Sequence, residues 1–204
     1  MLGGYGFIHS VDAHGSLELI KKLLPPHVIT KGRALDIGAG IGRVTQHVLI
    51  PAGFPTVDLI DACDKFLQEA ASKIDPTRLG DVVTSSFTGF DFMRDKGRTW
   101  TLIWMQWCAI YLRDDEFGEF FARACASLDS DGPSYVVLKE NILRQGEAAP
   151  VPDNDDHSVT RSDAHLKKLW KNAGVEVVAQ QDQANLPTTI YPVRMYALRL
   201  AERK

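Results

Sequence analysis

Ala34-Leu35-Asp36-Ile37-Gly38-Ala39-Gly40-Ile41-Gly42-Arg43 is the stretch that decides the fold. A short apolar run, Ala34 to Ile37, breaks into three glycines at alternate positions, and Val44, Val48 and Leu49 follow at helical spacing. The reading is a strand, a tight turn and a helix. Glycines in such a turn permit positive φ and remove the Cβ atoms that would hold a ligand away from the backbone. The helix that opens next offers free N–H groups and the positive end of its dipole to an anionic or polar group. A nucleotide-like ligand suits that chemistry.

Spacing narrows the ligand. Gly38 to Gly42 reads G-x-G-x-G, not the dinucleotide fingerprint G-x-G-x-x-G, and no G-K-[ST] is present for a phosphate-gripping loop. With Asp36 two residues ahead of the first glycine, the pattern D-x-G-x-G-x-G resembles the first motif of S-adenosylmethionine (AdoMet)-dependent methyltransferases. A second apolar run, Val57-Asp58-Leu59-Ile60, ends in Asp61. An acid there, about 20 residues beyond the glycines, suits a pair of ribose hydroxyls. The plainer alternative is a tight turn with an unrelated surface aspartate, and the spacing favours AdoMet over it.

The 204 residues are 45% apolar and 24% charged, which is enough to bury the core of one domain with a small addition. A net charge of −3 with no Lys/Arg-rich run gives no bulk attraction to nucleic acid or to an anionic membrane. Cys63, Cys108 and Cys125 are widely spaced, fit a reducing compartment and match no zinc pattern. No His/Asp/Glu spacing suggests a metal. No apolar run approaches the ~20 residues of a membrane span, and Met1 to Tyr5 lacks the features of a secretory signal. An intracellular monomer is expected.

Taken in order, Met1 to Ser16 is rich in glycine and aromatic residues and reads either as a flexible leader or as the end of a binding segment. Leu17, Ile20, Leu23 and Leu24 share a helical face that Pro25-Pro26 ends. Residues 1–30 are therefore expected to be a leader and helix covering the site, and 31–204 the main domain. Phe66, Leu67, Ala70 and Ala71 predict a helix, Asp81 to Ser85 a third strand, and Trp100 to Gln106 a fourth, apolar enough for burial on both faces. A helix over Asp114 to Leu128 and a strand over Ser134 to Lys139 follow. Residues 142–160 read as a long polar connection, functional or disordered. Ser162 caps a helix that Gly174 closes. Val175 to Ala179 and Tyr191 to Leu200 then pair as a closing hairpin. The alternation argues for one doubly wound α/β domain, a seven-stranded Rossmann-like sheet with helices on both faces.

Further segments narrow the match. Leu2-Gly3-Gly4-Tyr5-Gly6, Gln106-Trp107, Lys139-Glu140-Asn141, Asp156-His157-Ser158-Val159-Thr160-Arg161 and Asn185-Leu186-Pro187, together with the glycine motif, resemble the protein α-N-terminal methyltransferases. That family methylates the α-amine of proteins beginning Xaa-Pro-Lys. The resemblance runs in order along nearly the whole chain. It implies a class I methyltransferase fold, AdoMet as methyl donor and S-adenosylhomocysteine as product, and protein N-termini as substrates in the cytoplasm and nucleus. Gly38, Gly40, Arg43, Asp61, Ala62, Cys63, Phe87, Thr88 and Gln106 would hold AdoMet, with Arg43 at the methionine carboxylate and Asp61 at the ribose. Trp107, Tyr111, Asp153, Ser158, Tyr191, Gly4 and Tyr5 would meet the substrate, and Asn141 and Asp156 the amine. Tyr111 stands where other members place a histidine.

The chemistry is consistent with this. An α-amine with a pKa of about 7.7–8.0 is largely protonated at neutral pH, so its proton must be accepted or relayed before it attacks a sulfonium methyl. Asp156 beside the neutral Asn141 can orient the amine and accept that proton. Asp153, Asp155 and Asp156 offer a seat for a substrate Lys or Arg. Simpler roles stand beside these: a solvated acidic loop, Trp107 in the core, Asn141 capping a turn. The rival functions are a small-molecule methyltransferase on the same fold and a non-catalytic AdoMet-binding module.

Overall fold

The computed structural model describes residues 6–92, 98–147 and 149–202. Among the described residues nine strands form, β1 (Arg33–Ile37), β2 (Thr56–Asp61), β3 (Leu79–Thr84), β4 (Leu102–Gln106), β5 (Tyr135–Asn141), β6 (Val151–Pro152), β7 (Val159–Thr160), β8 (Val175–Asp182) and β9 (Val193–Leu200). Seven make one sheet in the order β3-β2-β1-β4-β5-β9-β8. The first five strands run parallel, and β9 pairs antiparallel with both β5 and β8. The order reverses beside β1, whose neighbours β2 and β4 lead the chain away in opposite directions. A crevice opens at the carboxyl ends of the strands at such a point, which is where α/β sheets hold ligands.

The helices are α1 (His9–Leu23), α2 (Pro26–Ile29), α3 (Ile50–Ala52), α4 (Asp64–Lys73), α5 (Asp114–Ala126) and α6 (Asp163–Asn172). Each central strand alternates its side chains between two separate cores. Leu35, Ile37, Ile103, Met105 and Leu138 meet Phe117, Phe120 and Phe121 of α5 and Trp170 of α6. Ala34, Leu102, Trp104 and Val137 point the other way, against Leu19 and Ile20 of α1 and Leu67 and Ala70 of α4. Burial on both faces is why these strands are continuously apolar. The helix expected after the glycines begins as a π-helical stretch, Thr45–Leu49, running into α3. Pro51 lacks an N–H and crowds the turn before it, and the backbone widens there.

Two readings of the sequence are corrected. Residues 9–16 are helix, not a leader: α1 begins at His9 after a 3-10 turn, Gly6–Ile8, and buries Asp12 and Ser16 along with Leu19 and Ile20. Polar residues on the buried stripe hid the period. Gly4 and Tyr5 lie outside the described residues. The 142–160 connection is also not structureless, because β6 and β7 pair as a short antiparallel ribbon. Its tip folds on local side-chain bonds, Asp155 N to Asp153 Oδ1 at 2.9 Å and Ser158 N to Asp156 Oδ1 at 2.9 Å, with His157 at φ 61°. Several smaller boundaries move. The fourth strand starts at Leu102 and the last at Val193, so Trp100 and Tyr191 precede their strands.

One buried carboxylate ties the far end of the sheet together. Asp58, 2% exposed, accepts from Arg33 Nε at 2.6 Å, Asp81 N at 2.7 Å and Trp100 Nε1 at 2.8 Å. Removing it leaves a guanidinium, an amide and an indole without an acceptor. Asp58→Ala is expected to cost about 3–5 kcal/mol in urea denaturation, as breaking a buried ion pair does. A loss below about 1 kcal/mol would mean that water replaces the carboxylate there.

Candidate active site

The glycine turn is built by two acids. Asp36, 2% exposed at the end of β1, reaches forward to Thr45, accepting from its N at 3.1 Å and its Oγ1 at 2.7 Å. Asp61, at the end of β2, accepts from Gly40 N at 2.8 Å and Cys63 N at 2.8 Å, one bond on each oxygen. The turn is thus held from both sides, with Gly38 at φ 69°, Gly40 at φ 53° and Gly42 at φ 77°. A Cβ on Gly38 would fall 2.6 Å from Cys108 Sγ, so only glycine fits between the turn and the loop after β4.

Above this turn lies a cleft of about 280 Å³. It is lined by Gly38, Gly40, Arg43, Asp61, Gln106, Trp107 and Tyr111, all expected from the sequence, and by Ala39, Val44, Phe66 and Cys108. Trp107 adopts φ 54°, rare for a bulky residue. Its N donates to Lys139 O at 3.1 Å, which fixes the chain there. The guanidinium of Arg43 lies 5.4 Å from the Trp107 ring centroid. The indole Nε1 of Trp107 is buried without a partner among the described residues, so it is a donor held ready.

The other expected residues sit around this cleft at varying distance. Phe87 flanks Gly38, its ring edge 3.7 Å from where a Cβ would stand. Ala62 and Thr88 are exposed, the first in the turn after β2 and the second in the turn beyond β3. Asp156 joins the cleft at its Tyr111 edge, where the Tyr111 hydroxyl donates to its Oδ2 at 3.4 Å. Ser158 lies beneath it in the ribbon, 7% exposed, and its carbonyl accepts from Asp153 N at 2.8 Å. Asn141 ends β5 opposite Val193. Tyr191 is not on the cleft wall but stacks under Arg144, whose guanidinium is 5.4 Å from its ring.

Charge at the site is divided. The bonds from Ser158 hold the Asp156 carboxyl below the usual carboxylate range. Burial, then the Asp156 carboxylate, pushes the Tyr111 hydroxyl up, so it stays protonated and donates. Burial raises Asp36 to about 6. Glu140, between Lys139 and Asn141, is 2% exposed. Its Oε1 takes Asn141 N at 3.0 Å, whereas Oε2 has no partner among the described residues. Burial lifts it to about 7 against the opposing pull of the Asn141, Ile110 and Ala109 amides. Sequence reasoning missed Asp12, which bonds to both Arg43 and Gln106. The available signal was an acid at helical spacing within an apolar stripe, Ile8-Asp12-Ser16-Leu19.

Glu140 sets a pH dependence. Its folded value of about 7 lies above its ordinary 4.5, so the native state holds the extra proton between those values and stability falls as pH rises through that window. Asp36 acts in the same direction from 3.8 to about 6. Glu140→Gln keeps the acceptor for Asn141 and removes the charge. Its unfolding free energy should fall less than the wild type's from pH 4.5 to 8 in urea denaturation, by a difference on the order of 1–3 kcal/mol. Parallel curves would show that the buried oxygen is solvated.

Comparison with known proteins agrees with this geometry. Residues 1–199 match the family described as AdoMet dependent proline di-methyltransferase. A rice protein named Alpha N-terminal protein methyltransferase 1 (Oryza sativa subsp. indica) is 40% identical over 97% of this chain. The chain spans 65% of that relative's length. The Danio rerio N-terminal Xaa-Pro-Lys N-methyltransferase 1 is 37% identical over 98% of this chain and 87% of its own. A SAM-dependent methyltransferase structure from Leishmania major superposes with a TM-score of 0.86 at 37% identity, covering 97% of this chain and 75% of that one. The sheet order, the glycine turn under its cleft and this likeness along the whole chain agree, and the protein belongs to the AdoMet dependent proline di-methyltransferase family.

Proposed function

We propose that the protein binds AdoMet in the cleft above the glycine turn and methylates the α-amine of protein N-termini of Xaa-Pro-Lys type. The observation that carries this reading is the meeting of two different surfaces at one edge. A glycine-lined cleft of nucleoside size ends at Tyr111, and there the acidic ribbon joins it through Asp156.

The residues present fit the cofactor. Gly38 and Gly40 line the cleft with bare backbone, which lets a ligand approach the turn closely. Each Asp61 oxygen spends one lone pair on a backbone amide and keeps another to accept from a ribose hydroxyl. Arg43 lines the cleft with a cation for the amino-acid carboxylate. Ala62, Cys63, Phe87, Thr88 and Gln106 complete the wall around the nucleoside in this reading. When bound, AdoMet supplies an electrophilic methyl carbon on a sulfonium.

The chain's own residues then act on the amine. Trp107 presents its unpaired indole N–H to the incoming backbone. Asp156 and Asn141 receive the ammonium, with Asp153, Ser158 and Tyr191 along the peptide's path. Asp156 is held strongly ionised by Ser158, so it attracts the ammonium well but keeps a proton poorly. Full transfer from an amine of pKa about 7.7–8.0 runs uphill by several units, and the proton passes on to water. Turnover is accordingly expected to rise with pH through the amine's own value. The proposed settings are the cytoplasm and nucleus, with the protein as a monomer acting without nucleic acid or membrane.

Mass spectrometry of peptides incubated with the protein and AdoMet tests the reading. Methyl additions are expected on a free Ser-Pro-Lys-Arg start, and none on the same peptide acetylated at its α-amine or with Pro replaced by Asp. AdoMet binding with silence across the panel would favour a small-molecule methyltransferase or a non-catalytic module. Asp156→Asn should lower turnover about a hundredfold while AdoMet affinity stays unchanged, because the ribbon tip touches only the Tyr111 edge. Unaltered turnover would remove Asp156 from the reaction.

A further inference from the structure

A buried ionic cluster lies beside the cleft floor, and its centre belongs to the N-terminal helix. Asp12 is fully buried. Its carboxylate takes Arg43 Nη1 at 2.7 Å, Gln106 Nε2 at 2.9 and 3.0 Å, and Lys139 Nζ at 2.5 Å. These donors come from three separate elements: the glycine turn, the end of β4 and the end of β5. One carboxylate therefore gathers the carboxyl edge of the sheet onto α1.

The members differ in what they have left to offer. Lys139 is also fully buried, and its ammonium meets Asp12 O at 2.9 Å, Ser16 Oγ at 2.9 Å and Gln183 Oε1 at 2.7 Å besides the carboxylate. Its three N–H groups are saturated. Gln106 spends its oxygen on Trp104 Nε1 at 3.1 Å and its nitrogen on Asp12. Arg43 alone of the three both lines the cleft and is partly open, its side chain 13% exposed. Two cations surround one anion here, and the positive charge left over emerges into the cleft at Arg43. Close docking of α1 is itself built in. Gly15 leaves room for the Gln183 amide, which a Cβ would meet at 2.3 Å, and that amide also donates to Val11 O at 3.1 Å.

We propose that Asp12 is a positioning residue of the cofactor site: by clamping one terminal nitrogen of Arg43 and the amide of Gln106, it turns the rest of the guanidinium toward the carboxylate of the ligand's amino-acid end. α1 is then part of the cofactor site, although it precedes the glycine turn and none of its residues lines the cleft. This inference rests on the AdoMet reading given above. A guanidinium addresses a carboxylate through a planar, two-bonded edge. Fixing one nitrogen to a fully buried partner leaves that plane little freedom, which lowers the ordering cost when the ligand arrives.

Two ligands and a double-mutant cycle separate positioning from mere structural support. S-adenosylhomocysteine carries the amino-acid carboxylate, and 5′-methylthioadenosine has the same nucleoside without it. In calorimetry on the full chain, Asp12→Asn is expected to weaken S-adenosylhomocysteine about tenfold or more and methylthioadenosine by less than about threefold. In an Arg43→Gln background, Asp12→Asn should bring little further loss, because its effect passes through Arg43. Asp12→Asn strands the Lys139 charge. Should that variant not fold, Asp12→Asn with Lys139→Met removes both charges and is expected to show the same selective loss. Equal loss on both ligands, additive losses in the cycle, or unchanged affinity would overturn the proposal. A wild-type protein that binds neither nucleoside would instead overturn the cofactor reading, and this inference with it.

Discussion

The structure depends on the turn after β1 being held in one shape. Three residues there sit at positive φ within five positions, a geometry with no repeating hydrogen bonds of its own to keep it. Side chains supply them: Asp36 reaches over the turn to Thr45 on the far side, and Asp61 reaches across from β2 to Gly40 N. The second bond also sets the spacing between the ends of β1 and β2, which pair in parallel from Arg33 with Thr56 to Ile37 with Ile60. Fixing the turn therefore fixes the mouth of the crevice. The close approach of Cys108 to Gly38 then brings the loop after β4 against it. Cys108 is buried, and burial pushes its thiol well up, which leaves it a packing group rather than a nucleophile.

Acids recur at these junctions of the sheet. Asp58 joins β2 to β3 and Trp100, Asp61 joins β2 to the turn, and Asp12 joins α1 to the glycine turn and to two strand ends. In a parallel sheet consecutive strands are joined by long crossovers rather than tight turns, so the connecting chain does not itself tie their carboxyl ends together. Carboxylates accept several bonds at once and can therefore tie three elements at a point. The cost of their burial is offset only where every lone pair is used, as at Asp58 and Asp12. At Asp12 burial pulls the carboxyl up, and Lys139 and Arg43 together pull it further down, leaving it below its ordinary value and charged. Glu140 departs from the pattern, with one oxygen unpartnered and its carboxyl pushed up instead.

How much of this was legible follows from what each residue answers to. β1, β2, β4 and β5 read clearly because burial on both faces makes them continuous apolar runs, and α5 because Phe117, Phe120 and Phe121 keep helical spacing against one core. The glycine turn and Asp61 read because their geometry is local or of regular spacing. The first half of α1 did not, since its buried face carries Asp12 and Ser16 whose partners Arg43 and Lys139 lie far away in sequence. The ribbon did not either, because strands of two residues carry no period and its tip is set by side-chain turns at Asp153 and Asp156. The contact of Tyr191 with Arg144 is a pairing between two loops that no local pattern records.

The two halves of the site are made differently for a physical reason. The floor is assembled from strand ends whose side chains are buried and doubly bonded, so the cleft above it is preorganised. The acidic ribbon is different. β6 and β7 share only two residue pairs, and Asp153, Asp155 and Asp156 are exposed. What holds the ribbon is its base, where buried Arg161 bonds Asp114 Oδ1 at 2.8 Å and reaches Leu112 O at 2.5 Å. That anchors it to the start of α5 and to the segment carrying Tyr111, while the tip has only its own turn bonds and the long contact from Tyr111. A small ligand needs a fixed floor because few contacts define its pose. Under the function proposed above, a peptide end that must enter and leave needs acids it can reach, and an exposed tip on a fixed base offers them.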